Sequence, residues 1–166
     1  VLFIGGNTVS NDNIDISILG NSFTAGGDEL SLIVGITNKN NSPLDLVDLV
    51  MEYPKNAPEP EASASLETER FRESLGTIPA GAIKNENLKV VLFGQQGSII
   101  PIKISIEYRV EGSNAIFVKE KTHEITINST PLNLSIDAPT TLSPNQDITL
   151  KIKATLNATK LAPKML

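Results

Sequence analysis

From residue 100 to residue 110 the chain keeps strict alternation: Ile100, Ile102, Ile104, Ile106, Tyr108 and Val110 take turns with Pro101, Lys103, Ser105, Glu107 and Arg109. Side chains of a strand project to opposite faces with a period of two, so this segment has one apolar and one wet face; a helix would scatter the same residues around its circumference. A sheet covered on both sides reads as an unbroken apolar run, so one-sided alternation points to an antiparallel sheet whose dry face must be covered by another layer. The composition supplies that layer. Ile, Val and Thr together number 41, which suits pleated surfaces, and 15 Asn residues favour turns.

The same reading predicts seven strands between residues 13 and 130. Ile14, Ile16 and Ile18 mark the first, and Leu30, Leu32, Val34 and Ile36 the second, with residues 20–29 connecting them. The third runs over about residues 44–53, after the turn-forming Asn38-Lys39-Asn40-Asn41-Ser42-Pro43. Residues 55–69, rich in Ala, Glu, Pro and Ser, read as an exposed loop, because proline removes ladder donors. A short fourth strand is expected near residues 71–75. The fifth has Leu88, Val90 and Leu92 facing inward, and the alternating segment is the sixth. The seventh, residues 115–127, is expected to carry a bulge, since the apolar phase shifts between Ile116 or Phe117 and Ile125. No stretch has a helical period. The predicted fold is all-β, an immunoglobulin-like two-sheet antiparallel β-sandwich followed by the first strands of a second similar unit.

That second unit comes from sliding the chain on itself. At an offset of 132 − 14 = 118, Ile14, Ile16 and Ile18 fall on Leu132, Leu134 and Ile136. Without a gap, Leu30, Leu32, Val34 and Ile36 then fall on Ile148, Leu150, Ile152 and Ala154. Shared spacing over more than one strand argues for duplication. The expected organisation is an apolar stub and linker in residues 1–12, a sandwich in 13–130 and the truncated start of a second repeat in 131–166. Val1-Leu2-Phe3-Ile4 is far shorter than the ~20 apolar residues that cross a bilayer. It reads either as the end of a membrane helix or as a short strand or disordered start.

Chemistry is hard to find in the residues. Without cysteine there is no thiolate zinc site, disulfide or cysteine nucleophile, and a net charge of −5 does not suit a phosphate backbone. The single histidine, His123, lies in a strand pattern with no Gly-x-Ser-x-Gly turn and no second histidine at zinc-binding spacing, and reads as an edge or surface residue. Glu59, Glu61, Glu67, Glu69 and Glu73 include possible carboxylate pairs, but a proline-broken loop does not hold two carboxyls at fixed separation. Asp28, Glu29, Asn38, Asn40, Asp45 and Asp48 lie near strand ends, where oxygen ligands for calcium can converge, although turn residues explain them as well. Asn40, Asn128, Asn133 and Asn157 open Asn-x-Ser/Thr triplets. No catalytic, cofactor-binding or metal-ligating residue is assigned, and no cofactor is expected.

Several segments, in order and spacing, carry a family resemblance: NDNIDISI (residues 11–18), ITNKNNSP (36–43), MEYP (51–54), LGTIPAG (75–81), VLFG (91–94) and IEYRVEGSNAIFVK (106–119). Together they resemble the tandem immunoglobulin-like domains, of cell-adhesion-related or conserved-repeat type, of membrane-anchored surface proteins from candidate-phyla bacteria. The resemblance implies a transmembrane helix upstream of Val1 and repeated sandwiches on the extracellular side. It implies a non-catalytic role as spacer or weak adhesive surface, with neighbouring repeats, cell-surface proteins or glycans as partners and no nucleic acid. The competing reading is a carbohydrate-, calcium- or protein-ligand-binding sandwich that uses its loops. For sugar stacking the candidates are Phe23, Phe71, Phe93, Phe117, Tyr53 and Tyr108, most of which the strand pattern assigns to core or strand positions.

Overall fold

The computed structural model describes residues 9–55, 67–129, 132–137, 144–145, 147 and 151–156. After a single 3-10 turn at Asn11–Asn13, ten strands follow in chain order. They are β1 (Ile14–Leu19), β2 (Phe23–Ala25), β3 (Glu29–Asn38), β4 (Leu44–Pro54), β5 (Thr68–Ile78), β6 (Ile83–Val91), β7 (Ile99–Arg109), β8 (Phe117–Ser129), β9 (Leu132–Asp137) and β10 (Lys151–Leu156). Strands β1-β3-β6 form one sheet and β2-β8-β7-β4-β5 another, while β9 and β10 pair with each other. No helix among the described residues is long and apolar enough to cross a membrane.

The expected inward residues meet between the sheets. Ile14, Leu32, Val34 and Ile36 from the narrow sheet and Leu49, Ile100, Ile102, Ile104 and Ile106 from the wide one lie in a single cluster with no solvent exposure. Each such side chain contributes roughly 1.5–3 kcal/mol on burial. The fold is the all-β sandwich that the alternation requires. Its fourth strand, however, lies beside β4 in the wide sheet, whereas in an immunoglobulin constant domain it joins the sheet of the first, second and fifth strands.

Three local expectations need correction, two of them because a five-stranded sheet overhangs a three-stranded one. Strand β5 is eleven residues long instead of a short piece at 71–75, and nearly all of it is exposed. Its Glu69, Phe71 and Glu73 stand opposite Tyr53, Met51 and Leu49 on the inward face, past the edge of the facing sheet. Strand β8 shows no register shift against β7, so there is no bulge on that side. Its inward positions are Phe117, Lys119, Lys121, His123, Ile125 and Ile127, opposite or in phase with the buried isoleucines of β7. The apolar phase is continuous, and its middle is polar because only β1 reaches that far. Lys121 Nζ donates to Ile16 O at 3.0 Å and Lys119 Nζ to Asn11 O at 3.1 Å, so the two lysines clip the open seam of the sandwich. Inward-pointing charges near a sheet edge also discourage pairing with another chain.

The third correction concerns residues 20–29, which contain β2. After β1 the chain crosses to the other sheet, where β2 pairs in parallel with β8: Phe23 with Thr126, Thr24 with Ile127 and, after a register shift, Ala25 with Ser129. The crossing grazes the core. A Cβ on Gly20 would lie 2.6 Å from Leu32 Cδ2 and 2.9 Å from Ser31 O, so only glycine fits without displacing backbone.

The two β-hairpins at the start of each proposed repeat share their register. In β1/β3, Ile14 pairs with Asn38, Ile16 with Ile36 and Ile18 with Val34. In β9/β10, Leu132 pairs with Leu156, Leu134 with Ala154 and Ile136 with Ile152. Adding 118 to both members of each first pair gives the second pair.

Candidate interaction surfaces

The sandwich has two ends. At one of them β1, β4, β6 and β8 begin, and here Asn38 and Asn40, two of the calcium-ligand candidates, are buried structural groups. Asn38 Nδ2 donates to Ser42 O (2.9 Å), Ile78 O (3.2 Å) and Pro79 O (3.2 Å). Its Oδ1 accepts from the backbone N and the Nδ2 of Asn40, both at 3.1 Å. Asn40 Oδ1 accepts from Ser10 N at 2.8 Å, and its Nδ2 donates to Ser10 O at 3.2 Å. The pair forms a polar plug that ties the β3–β4 and β5–β6 connections and the leading segment together. A side chain that is 4% exposed and engaged in this way is no glycan acceptor in the folded protein. Asn128 is exposed; Asn133 has no described side chain, and Asn157 lies outside the described residues.

The remaining calcium candidates do not converge. Asp45 Oδ1 accepts from Thr77 Oγ1 at 3.2 Å, and Asp48 pairs with Arg72 at 2.6 Å. Asp28 and Glu29 lie at the opposite end of β3 from Asn38, about 30 Å away at the usual strand rise. Among the described residues no three His, Cys, Asp or Glu side chains gather as a metal site would need.

The catalytic candidates are equally dispersed. His123 lies on the stretch of β8 that forms the sheet edge, in an inward, half-buried position opposite Ile102, and its Nε2 is buried without a hydrogen-bond partner among the described residues. No serine–histidine pair exists there. Glu67 and Glu69 both face Lys55, at 3.1 and 3.3 Å, and hold its ammonium above the ordinary lysine range, Glu67 most strongly. Lys55 N also donates to Glu67 O, which closes the β4–β5 hairpin. Glu59 and Glu61 lie outside the described residues, as does most of the loop expected over residues 55–69.

The outer face of the wide sheet carries an ion-pair lattice. Arg72 contacts Asp48 and Glu107, Arg70 contacts Glu52 and Glu107, and Lys103 joins Glu52 to Glu120. Charges of both signs alternate across four strands, and Glu52 foremost raises the Lys103 ammonium above its usual range. Val50 and Ser105, paired with each other on this face, are buried.

Apolar surface collects instead at the ends. Where β4 and β8 begin, a bulge in β4 holds Leu46 at φ +48°, unusual for a leucine, and leaves its side chain 66% exposed. Leu46, Ile116, Tyr108 and Arg109 line a depression of about 300 Å3 there. At the far end Phe23, Phe93 and Ile99 are each 51% exposed. Of the six aromatic candidates all but Phe93 lie on strands, as the pattern assigns, but few of them reach the core: Tyr108 is buried, whereas all four named phenylalanines are exposed. Phe23 and Phe93 share the far end, Phe71 lies on β5 and Phe117 at the start of β8, and among the described residues only Tyr108 and Phe117 stack, at 5.6 Å. Sequence patterning counts a phenylalanine as apolar wherever it falls, so it cannot separate core positions from ends.

No family model matches the chain, and no curated protein does. Among solved structures, the chain is similar to the CARDB domain of the PF1109 protein of Pyrococcus furiosus. That likeness has 8% identity and a TM-score of 0.47, covering 70% of this chain and 94% of that one. A crystal structure of the same domain, in complex with di-metal ions, matches at 11% identity and a TM-score of 0.45, over 69% of this chain and 86% of that one. The sporulation control protein Spo0M of Bacillus subtilis matches at 10% identity and a TM-score of 0.46, covering 89% and 69% respectively. At such identities the likeness concerns strand layout alone.

Proposed function

We propose that the chain is a non-catalytic structural and interaction module: a spacer unit, repeated along a cell-surface protein, that transmits tension along its length. The observation that carries this reading is the placement of the first and last strands. Asn11 Nδ2 donates to Val118 O at 3.2 Å, so the leading segment sits at the start of β8. Strand β8 then runs to Ser129, about 36 Å away at the strand rise, before the chain leaves at the other end. Strand β2 is parallel to β8, and Thr126 N donates to Ser22 O while Gly26 N donates to Ser129 O. Tension between the two ends loads these bonds in shear, so they share the force and do not open one after another.

The shared register of β1/β3 and β9/β10 supports repetition. The surface location and an upstream anchor rest on the sequence resemblance. Single-molecule pulling of the full chain tests the mechanical reading. Unfolding of strands β1 to β8, residues 14–129, should lengthen the tether by roughly 380 Å, taking about 3.6 Å per residue less the folded span. Thr24→Pro, which removes a ladder donor from β2, should lower the force of that event. A chain that extends with no discrete event would contradict the proposal.

A further inference from the structure

We propose that the two free edges of the wide sheet pair with each other between molecules, β5 of one copy against residues 118–124 of β8 in the next, to build an open lateral array. The inference goes beyond the spacer reading and needs no second repeat. In the sheet β2-β8-β7-β4-β5, β5 is the last strand, and β2 covers β8 only from Thr126 to Ser129. Both edges offer main-chain groups. Thr126 N donates to Ser22 O and Val118 O accepts from Asn11 Nδ2, both on the side away from β7. By the alternation of an antiparallel ladder, Glu120, Thr122 and Glu124 between them also turn N–H and C=O toward that edge. On β5, Lys55 N donates to Glu67 O, which marks the odd-numbered residues as bonded to β4 and leaves the main-chain groups of Arg70 and Arg72 at the open edge.

Side-chain charge selects a second copy as the partner. On the inward face β5 carries Glu69 and Glu73, where β8 carries Lys119 and Lys121. On the outer face β5 carries Arg70 and Arg72, where β8 carries Glu120 and Glu124. The two edges are thus opposite in sign on both faces. Pairing either edge with its own kind sets arginine against arginine and glutamate against glutamate, or lysine against lysine, which is destabilising. The charges that guard each edge against its like therefore match it to the other edge. Strand direction agrees as well. Three antiparallel pairings separate β5 from β8, so a copy displaced sideways, with its narrow sheet on the same side, brings β8 antiparallel to β5. With Arg72 opposite Glu120, Glu73 falls opposite Lys119 and Arg70 opposite Thr122. The contact joins two different edges, so each added copy leaves one of each free and the array does not close. It is one ladder wide, which makes the association weak and confines it to high local concentration.

Sedimentation velocity of the full chain over a rising concentration series tests the pairing. The mean mass should climb past that of a dimer without a plateau. Arg70→Pro and Thr122→Pro each remove one edge donor while sparing the ladder within the sheet, and each variant alone should stay monomeric. An equal mixture of the two should form dimers and nothing larger, because each variant keeps one working edge. Glu73→Lys, at an exposed side chain, should raise the concentration needed for association several-fold, and it decides the matter if a proline variant loses the Ile16–Ile36 cross-strand NOE and so its fold. An unmodified chain that stays monomeric, or that stops at a dimer through a closed contact, would overturn the proposal. So would a mixture that stays monomeric, or undiminished association in the folded variants, which would assign the contact to another surface such as the Phe23 and Ile99 end.

Discussion

Hairpins β1/β3 and β9/β10 have the same register but different surroundings. Ile16 and Ile36 are a directly opposed pair in the first, and both are buried beneath the wide sheet. In the second, Ile152 faces Ile136 across the ladder and is 64% exposed. Register follows the alternation and the turn spacing, both local properties, whereas stability needs a covering layer. The contrast also extends to their ends, where Asn38 in one hairpin is matched by Leu156 in the other.

Substitutions can break or sharpen the contrast. Ile36→Ala removes a fully buried side chain and should cost the first unit about 2–5 kcal/mol in denaturant titration. Ile152→Ala should stay within about 0.5 kcal/mol. A comparable loss at both sites would mean that the second hairpin is covered as deeply as the first. Next in size is Asn38→Ala, which strands the carbonyls of Ser42, Ile78 and Pro79 and should cost about 1–3 kcal/mol. Leu156→Asn, the reciprocal change, should not recreate a plug, because at the offset of 118 the sequence has Ala158 for Asn40 and Asn128 for Ser10.

Smaller effects belong to the outer face. Arg72→Ala should cost no more than about 1 kcal/mol, and less in high salt, because its pairs with Asp48 and Glu107 are partly exposed and screened. At neutral pH no effect of tyrosine ionisation is expected. Burial holds the Tyr108 phenol above its ordinary value of 10.0, so the fold retains its full stability below that pH and loses some as pH climbs toward the folded-state value. Phenolate absorbance in a Tyr53→Phe variant reads Tyr108 alone, since the chain has two tyrosines. Titration of Tyr108 at or below pH 10 in the folded protein would contradict its burial.

Strands under the narrow sheet were legible from sequence, because burial on one face leaves the pattern that periodicity detects. The inward residues of β3, β6 and β7 are those alternation names. Where the wide sheet overhangs, the link between facing inward and being apolar fails, which is why β5 read as five residues and β8 as bulged. Strand β2 is three residues long and owes its place to the crossing at Gly20, which no period records. Asn38 and Asn40 sit in a run of turn-forming residues whose composition fits a solvated loop, so their burial shows only when the loops they join are seen together. Among the candidate surfaces, the composition of the two ends was visible in the sequence but not their position in space.

Pulling direction tests the central claim most directly. The chain has no cysteine, so handles can be attached at chosen points through introduced ones. Asp12→Cys with Ser129→Cys loads β2 against β8 in shear, and Asp12→Cys with Ser113→Cys, both at one end, peels the leading segment away. A module built to carry tension should resist the first pair at clearly higher force than the second. Equal rupture forces in the two directions would contradict the account.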